Sequence, residues 1–329
     1  MLYAELPGKE LTMVQTVTGP CKAEELGRTL VHEHFFFGYP GYEAARSHPG
    51  CVTREEILDT ALRGAQVLKA QGYQTVLDAT PNDCGRDPVL LREIAERTGL
   101  RILCATGYYA SGKSAPGYWD FRIKHGDASA EYAELLTQEL IEGISGTGIR
   151  AGFIKCATGY GPMTDMESHL LRGAALAQQR TGAVIYTHTE NGVLAEEQVQ
   201  TLLDAGVDPA HCVIGHLCGE HDLNKLLRIL QEGFYIGFDR LGSIDEKRPS
   251  VAATMSRIQE LADRGYKDRI VLSQDTVLTF LGLPFRPDWK NHYFGYLAET
   301  YLPALSAEYG VSAEMIETML TSNPCRLFQ

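Results

Sequence analysis

Short apolar runs alternate with longer amphipathic segments along most of the chain. The runs are rich in Val, Ile and Leu, which is typical of strands buried in a parallel sheet. The longer segments carry apolar residues at helical spacing. Strands are predicted at 29–34, 75–79, 101–106, 151–155, 183–188, 212–216, 234–239 and 269–273. Helices are predicted at 53–71, 87–98, 129–146, 167–180, 195–205, 222–232 and 250–264, followed by a final helical region.

Strands and helices that alternate in this way predict successive βα units around a parallel sheet. Eight such units favour an α/β fold of the (β/α)8 TIM barrel type over an open sheet. No internal repeat, low-complexity tract or linker divides the sequence. We therefore predict one barrel domain over residues 29–329, with residues 1–28 as a short N-terminal β flap packed on it. Active sites of such barrels lie at the carboxyl ends of the strands.

The composition narrows the class of protein and of partner. The chain has 329 residues, of which 44% are hydrophobic, and a formal net charge of −12. This charge argues against nucleic acid or an anionic membrane as a partner, and no apolar run is long enough for a membrane span. The eight cysteines are scattered without a CxxC pair, and the N-terminus does not resemble a signal peptide. We expect a cytoplasmic protein with reduced cysteines.

Two histidines, His32 and His34, end the first predicted strand. Because strand side chains alternate with a period of two, both imidazoles can leave the same side while Glu33 points the other way. This spacing suits two ligands of one metal ion. An isolated HxH is a weak motif, so the prediction depends on whether other strands supply further ligands.

Other predicted strands end in polar residues of the same kind. Lys155 ends the fourth strand, His188 the fifth and His216 the sixth, and Asp275 follows the eighth. One histidine at a strand end is most often an ordinary buried core residue. Six candidate ligands from five strands, all at one face of the barrel, instead predict a metal site. Imidazole and carboxylate suit divalent ions such as Zn, Mn or Co.

Lysine is the unusual member of this set, because an ammonium group repels a cation and has no acceptor. Lys155 can act as a ligand if its amine is neutral, or if carbon dioxide has converted the amine into a carbamate. The two oxygens of a carbamate can bridge two metals about 3.5–4 Å apart. The alternative is an ordinary salt bridge from Lys155 to Asp275 or Asp78.

Several short motifs occur in a specific order along the chain. They are TVTGP at 16–20, LVHEH at 30–34, Asp78 with GRD at 85–87, ATG at 105–107, TGIRAGFIK at 147–155, THT at 187–189, IGH at 214–216, LSQD at 272–275 and NP at 323–324. In these motifs the chain resembles, essentially end to end, the phosphotriesterase family of the amidohydrolase superfamily, including its lactonase branch.

The resemblance implies a (β/α)8 barrel with a binuclear centre of divalent metals, most often Zn, with Mn, Co or Fe as alternatives. The implied ligands are His32, His34 and Asp275 for the buried metal, and His188 and His216 for the more exposed one. Lys155, carboxylated at its side-chain nitrogen, would bridge both metals together with a hydroxide. The implied reaction is hydrolysis of a small-molecule ester, with Asp275 accepting the proton of the nucleophile. A homodimer is expected from the resemblance alone.

The chain departs from phosphotriesterases proper at two positions. They have a histidine after the seventh strand and an acid three residues after the sixth-strand histidine, where this chain has Arg240 and Gly219. The pair Asp239-Arg240 is similar to the lactonase branch, which nevertheless keeps the acid; Glu220 could replace it here. Arginine stays charged, so Arg240 can bind an anionic leaving group or carboxylate but cannot relay protons. The alternative is that Arg240 is an ordinary surface cation.

The loops predict the wall of a substrate pocket. Tyr109 matches an aromatic position that, in the lactonase branch, points at the metal centre; the alternative is a packed loop aromatic. Residues 35–38, Phe-Phe-Phe-Gly, follow the first ligand strand and predict an apolar wall beside the metals. A partly apolar mouth is also predicted by the loop after the eighth strand, with Phe280, Pro284, Phe285, Pro287 and Trp289.

The leading hypothesis is a lactonase with weak promiscuous activity on organophosphate triesters, because of Arg240, Tyr109 and the missing acid at Gly219. Alternatives are a carboxylesterase, a true phosphotriesterase, or a hydrolase of phosphorylated sugar lactones whose anionic tail Lys247 and Arg248 could receive. A non-catalytic binding protein is disfavoured, since the expected centre keeps an open metal position and structural sites are closed.

Overall fold

The computed structural model describes residues 13–45, 48, 50–110, 112–113, 117–241, 251–282 and 293–329. The first described elements are two short antiparallel strands, β1 (Met13–Thr16) and β2 (Gly19–Lys22), which form a hairpin. Val17 in its turn is buried, and its N–H donates to Ile102 O at 2.9 Å. Through this contact the hairpin is attached to a strand of the barrel.

Eight further strands form one parallel sheet. They are β3 (Thr29–Glu33), β4 (Thr75–Asp78), β5 (Arg101–Gly107), β6 (Phe153–Ala157), β7 (Ile185–His188), β8 (Cys212–Ile214), β9 (Tyr235–Phe238) and β10 (Ile270–Leu272). Each strand pairs with the next one along the chain. The two end strands meet beyond β10, where His34 N donates to Thr276 O at 2.9 Å and Leu278 N to His34 O at 3.0 Å. The predicted TIM barrel is confirmed.

Helices connect the strands. They are α1 (Arg54–Ala70), α2 (Pro88–Thr98), α3 (Gly117–Ile123), α4 (Ala128–Ile141), α5 (Asp165–Thr181), α6 (Ala195–Asp204), α7 (Leu223–Gln231), α8 (Val251–Leu261), α9 (Leu302–Ala307), α10 (Ala313–Glu317) and α11 (Asn323–Leu327). The predicted capping box is present at the start of α1, where Thr53 Oγ1 accepts from Glu56 N. The short helix α3 lies in a segment that the sequence pattern predicts as loop.

The barrel core has two layers, because alternate strand residues face the barrel interior and the surrounding helices. Phe153, Tyr186 and Val213 belong to the buried cluster of the interior. Ile154, Ile185 and Ile214 belong to the larger cluster under the helices. Following the interior face along the chain, Phe153 leads to Lys155 and Tyr186 leads to His188. The apolar layer therefore supports a polar layer at the carboxyl ends of the strands.

The predictions about the cysteines and about membrane-spanning segments can be compared with this fold. All eight cysteines are free, and five of them are buried. Among the described helices, none combines the length and apolar character needed to cross a bilayer.

Candidate metal centre

Four histidines converge on one carboxylate at the carboxyl end of the barrel. All four imidazoles are buried. Asp275 Oδ1 lies 3.6 Å from His32 Nε2 and 3.4 Å from His34 Nε2. Asp275 Oδ2 lies 3.9 Å from His216 Nε2, and the His188 ring packs edge-on against the His216 ring at 4.3 Å between centroids. The structure thus brings the predicted histidines and Asp275 into one cluster.

Two groups within this cluster have the spacing of metal ligands. The ligand atoms of His32, His34 and Asp275 all lie within 4.8 Å of one another, as expected for the buried metal. The second group among the described residues consists of His32, His216 and Asp239. Asp239 is not one of the ligands predicted from the sequence, so its contacts decide whether it is a ligand or a supporting residue.

The contacts of Asp239 favour a supporting role. Its Oδ2 accepts a hydrogen bond from Tyr186 OH at 2.6 Å, and its Oδ1 lies 2.8 Å from His216 Nδ1 and 2.9 Å from His216 N. On the far side of the cluster, His34 Nδ1 lies 2.8 Å from Thr80 Oγ1. Metal-binding histidines usually donate the second ring nitrogen to such a partner. With Nδ1 engaged in this way, Nε2 is left for a metal.

The donor set fits a divalent metal. Burial lowers the pKa of His32 to about 4 and that of His188 to about 3, and it lowers the pKa of His216 well below its ordinary value. These three imidazoles are therefore neutral at pH 7, the form that binds metals. Within the described part of the chain, the buried His216 Nε2 has no hydrogen-bond partner. A metal ion would satisfy this atom.

Lys155 lies in the middle of β6 rather than at its end, because the strand continues to Ala157. It is 1% exposed, and its Nζ lies 3.2 Å from His32 Nε2. The alternative of a salt bridge is not found: the described ion pairs of Asp275 are with histidines and Arg240. Burial lowers the pKa of Lys155 to about 8. A larger share of the amine is then neutral, which is the form that can react with carbon dioxide.

Arg240 is a buried residue of the site. Its Nε donates to Asp275 Oδ2 at 2.9 Å, and the two side chains are only 10% and 11% exposed. One terminal nitrogen donates to Asn191 Oδ1 at 3.3 Å. The interpretation as an ordinary surface cation is therefore wrong. Burial acts to raise the pKa of Asp275, but His216 and Arg240 outweigh it and hold that pKa well below its ordinary value.

Tyr109 and a second carboxylate surround His188. Tyr109 OH lies 3.3 Å from His188 Nε2, and the two rings meet edge-on at 4.7 Å. Glu190 Oε1 lies 3.2 Å from the same nitrogen and forms an ion pair with Lys113. Burial acts to raise the pKa of Glu190, but His188 and Lys113 lower it to about 2. Glu190 is not among the site residues predicted from the sequence; its position two residues after the predicted ligand His188 is the signal that could have found it.

A cavity of about 170 Å³ opens beside these residues. Phe37, Val277 and Phe280 form part of its lining. Of the predicted apolar wall, Phe37 faces the cavity, whereas Phe35 packs against Phe294 in the core, with ring centroids 5.3 Å apart. The predicted pocket residues Pro284, Phe285, Pro287 and Trp289, and the loop cations Lys247 and Arg248, lie outside the described residues.

The sequence model of the Phosphotriesterase family matches residues 12–328. The chain belongs to the phosphotriesterase family. A phosphotriesterase homology protein from Mycobacterium tuberculosis is 34% identical to it, over 96% of this chain and 97% of its own. An organophosphorus hydrolase from Deinococcus radiodurans superposes with a TM-score of 0.92 at 40% identity, covering 99% of both chains. A mutant of a Deinococcus radiodurans PTE-like lactonase has a TM-score of 0.91 at 40% identity, covering 96% of this chain and 100% of its own.

Phosphotriesterase family members are metal-dependent hydrolases acting on esters, and in this member the position of the relay acid is filled differently. A Cβ added to Gly219 would lie 2.4 Å from Asn191 Cβ, so an acidic side chain has no room unless Asn191 moves. Asn191 in turn accepts the hydrogen bond from Arg240. Glu220 Oε2 pairs with Lys225 Nζ at 2.9 Å, and Glu220 does not line the cavity, which argues against it as the substitute for this acid.

Proposed function

We propose that this phosphotriesterase family member is a binuclear metal-dependent lactonase with weak activity on organophosphate triesters. The observation that carries the proposal is the buried pair of Arg240 and Asp275, joined at 2.9 Å. It occupies the place where a phosphotriesterase would pass a proton towards solvent. A lactone is the ester substrate that such a site can open without a relay.

The ligands for two divalent cations are His32, His34, His188, His216, Asp275 and a carboxylated Lys155. Such cations, Zn in the first place, would polarise the ester carbonyl and make a water molecule acidic enough to attack it. The burial of His32 and Lys155, which lowers the pKa of both side chains, supports this assignment. The proton transfers and the binding of the substrate are carried out by protein side chains.

Asp275 is placed to accept the proton of the attacking water, because its carboxylate lies among the Nε2 atoms and its pKa is low. Opening of a lactone releases an alkoxide on the same molecule, and this alkoxide needs a proton, which Asp275 can return. A triester with an acidic aryl leaving group needs no such proton, so its hydrolysis depends on export of the proton to solvent. Arg240 blocks that route, since its guanidinium stays charged.

Arg240 and Tyr109 have roles that suit a lactone. The terminal nitrogens of Arg240 can bind the carboxylate that forms when the ring opens. The hydroxyl of Tyr109, beside His188, can donate to the ester oxygen of a bound lactone. The apolar side chains of Phe37 and Phe280 provide a surface for the carbon skeleton of the ring. One structural neighbour is a mutant of a PTE-like lactonase, which supports the same choice.

The test is a substrate panel on protein reconstituted with Zn, Mn or Co. The panel contains simple γ- and δ-lactones, an aryl acetate and a paraoxon-type triester, with acid release as the common measurement. We expect lactones to have the highest kcat/KM and the triester the lowest. An aryl ester preference would favour a carboxylesterase. No turnover of any of these esters would favour a metal-containing binding protein.

A further inference from the structure

Glu33 lies between two metal ligands, but its side chain points away from them. It belongs to β3, between His32 and His34, and is fully buried. Its carboxylate lies in the seam where the barrel closes, between β3 and the segment that follows β10. All the partners found for this carboxylate in the described structure are neutral donors on that segment.

The three hydrogen bonds of Glu33 fall on both sides of Asp275. Ser273 Oγ donates to Glu33 Oε1 at 2.7 Å, and Gln274 N donates to the same oxygen at 3.0 Å. Thr276 N donates to Oε2 at 2.9 Å. The amide between them, Asp275 N, donates to the carbonyl of the residue before Glu33 at 3.2 Å. Every backbone N–H from 274 to 276 is thus held by two consecutive residues of β3.

Asp275 needs this support because its backbone is strained. Its φ is 52°, in the left-handed region that residues other than glycine rarely adopt. Such a conformation costs free energy and persists only where the surrounding structure imposes it. The bond from Thr276 N to Glu33 fixes the peptide group that follows Asp275, and the bond from Gln274 N fixes the peptide group before Gln274. In this conformation the carboxylate of Asp275 faces His32 and His34.

We propose that Glu33 is a positioning residue that holds Asp275 in the conformation required of a metal ligand and proton acceptor. Glu33 itself does not line the cavity. The inference rests on the proposed function in one respect, the role of Asp275. Outer groups that orient metal ligands typically change metal affinity or activity by about 10–100-fold when they are replaced.

The variant Glu33→Gln tests the proposal. Glutamine keeps one acceptor oxygen but turns an NH2 group towards at least one of the three donors, so at least one bond is lost. We expect affinity for one of the two metals to fall about tenfold or more. We also expect kcat to fall with KM nearly unchanged, since the cavity lining is intact. Metal affinity is measured by chelator competition in the absence of substrate.

The matched control is Glu167→Gln. Glu167 is also buried, at 1% exposure, and accepts from two backbone amides, Gly159 N at 2.9 Å and Thr164 N at 3.0 Å. It is not part of the cavity lining. The same chemical change there should lower the melting temperature but leave both metals bound with wild-type affinity. A general cost of replacing a buried glutamate is thereby separated from a positioning effect.

The outcomes separate this inference from the proposed function. Glu33→Gln protein that folds and binds both metals with wild-type affinity overturns the role of Glu33. If this variant does not fold, Ser273→Ala decides. It removes the donor to Glu33 Oε1 and, with the same hydroxyl, the acceptor of His32 N at 3.1 Å. A loss of affinity at the same metal is expected, and unchanged affinity overturns the proposal. Wild-type protein that binds no divalent metal overturns the metal centre. Normal metal binding without lactone turnover overturns the lactonase assignment alone.

Discussion

Arg240 and Asp275 form a buried ion pair in which Arg240 Nε donates to Asp275 Oδ2 at 2.9 Å. One terminal nitrogen of the guanidinium donates to Asn191 Oδ1 at 3.3 Å, beside the helical turn that contains Gly219. Under the proposed function, this fixed positive charge takes the place of the mobile proton that the relay of phosphotriesterases proper would carry. This relationship makes Arg240 the residue whose replacement is most informative about substrate preference.

Arg240→Met should reduce lactone kcat/KM about 10–100-fold, because Asp275 loses the partner that orients its carboxylate. Arg240 lowers the pKa of Asp275, so its removal raises that pKa. The acidic limb of the pH–rate profile should then move to higher pH. The profile is measured on metal-loaded protein with a δ-lactone.

Triester hydrolysis by the same variant provides the comparison. We expect it to lose less than the lactone reaction, since Arg240 is assigned to binding the carboxylate product. Arg240→Lys keeps the charge without the planar geometry and should recover part of the lactone rate. Equal losses on both substrates would show that Arg240 acts only as a general electrostatic residue.

Lys155→Met should bring metal content down from two ions per chain to at most one. Methionine fills a similar volume but cannot form a carbamate, so the bridge between the two metals is lost. Metal content is measured by elemental analysis after dialysis, with wild-type protein treated in parallel. Reconstitution of the wild type in bicarbonate should be faster than in buffer depleted of carbon dioxide. Two metals bound to Lys155→Met with full activity would contradict the bridging role.

The ligands could be predicted from sequence because of a property of parallel barrels. His188 and His216 follow separate apolar strands, and the carboxyl ends of these strands meet at one face of the barrel. Polar residues at these ends must therefore lie close together, even without knowledge of the helices between them. The fourth strand ends two residues later than predicted, so Lys155 is not its last residue. The predicted site is unaffected, because side chains two residues apart on a strand share a face.

The residues that support the ligands could not be predicted in this way. Asp239 was recognised as part of a motif, but its bonds to His216 and Tyr186 depend on side-chain directions across three strands. The contact of Asn191 with Gly219, which leaves no room for a side chain at position 219, is visible only in the structure. Such contacts depend on the distances between helices and strands, and the hydrophobic periodicity of the sequence does not give these distances.

Tyr109→Phe should lower lactone kcat with little change in KM, because it removes one hydroxyl and leaves the ring against His188 in place. The donor it removes lies 3.3 Å from His188 Nε2. The matched control is Tyr108→Phe, since Tyr108 is the adjacent residue and packs against Trp119 outside the cavity. Steady-state kinetics of both variants measure kcat and KM. An equal effect at the two positions would remove Tyr109 from the reaction.

Glu220→Gln should leave lactone turnover close to that of wild type, although it weakens the ion pair with Lys225. Glu220 pairs with Lys225 and does not line the cavity, so no proton passes through it. The pH–rate profile should also be unchanged. A shift in either limb of the pH–rate profile of this variant would indicate that Glu220 acts as the relay acid that Gly219 does not provide.

The metal-free protein should lose stability as the pH falls from about 6.5, the ordinary pKa of histidine. His32 and His188 have folded pKa values of about 4 and about 3. Between these values and pH 6.5, unfolding takes up protons at both residues, so the free energy of unfolding rises with pH. Urea unfolding midpoints at a series of pH values measure the slope.

His188→Gln isolates one contribution to that slope, because it removes a group that is neutral in the folded protein and protonated in the unfolded chain. We expect a shallower dependence between pH 6.5 and the lower limit set by His32. His221→Gln is the control, since His221 is an exposed histidine that does not line the cavity. A slope that changes equally in both variants would mean that the buried imidazoles do not govern the acid sensitivity of the metal-free protein.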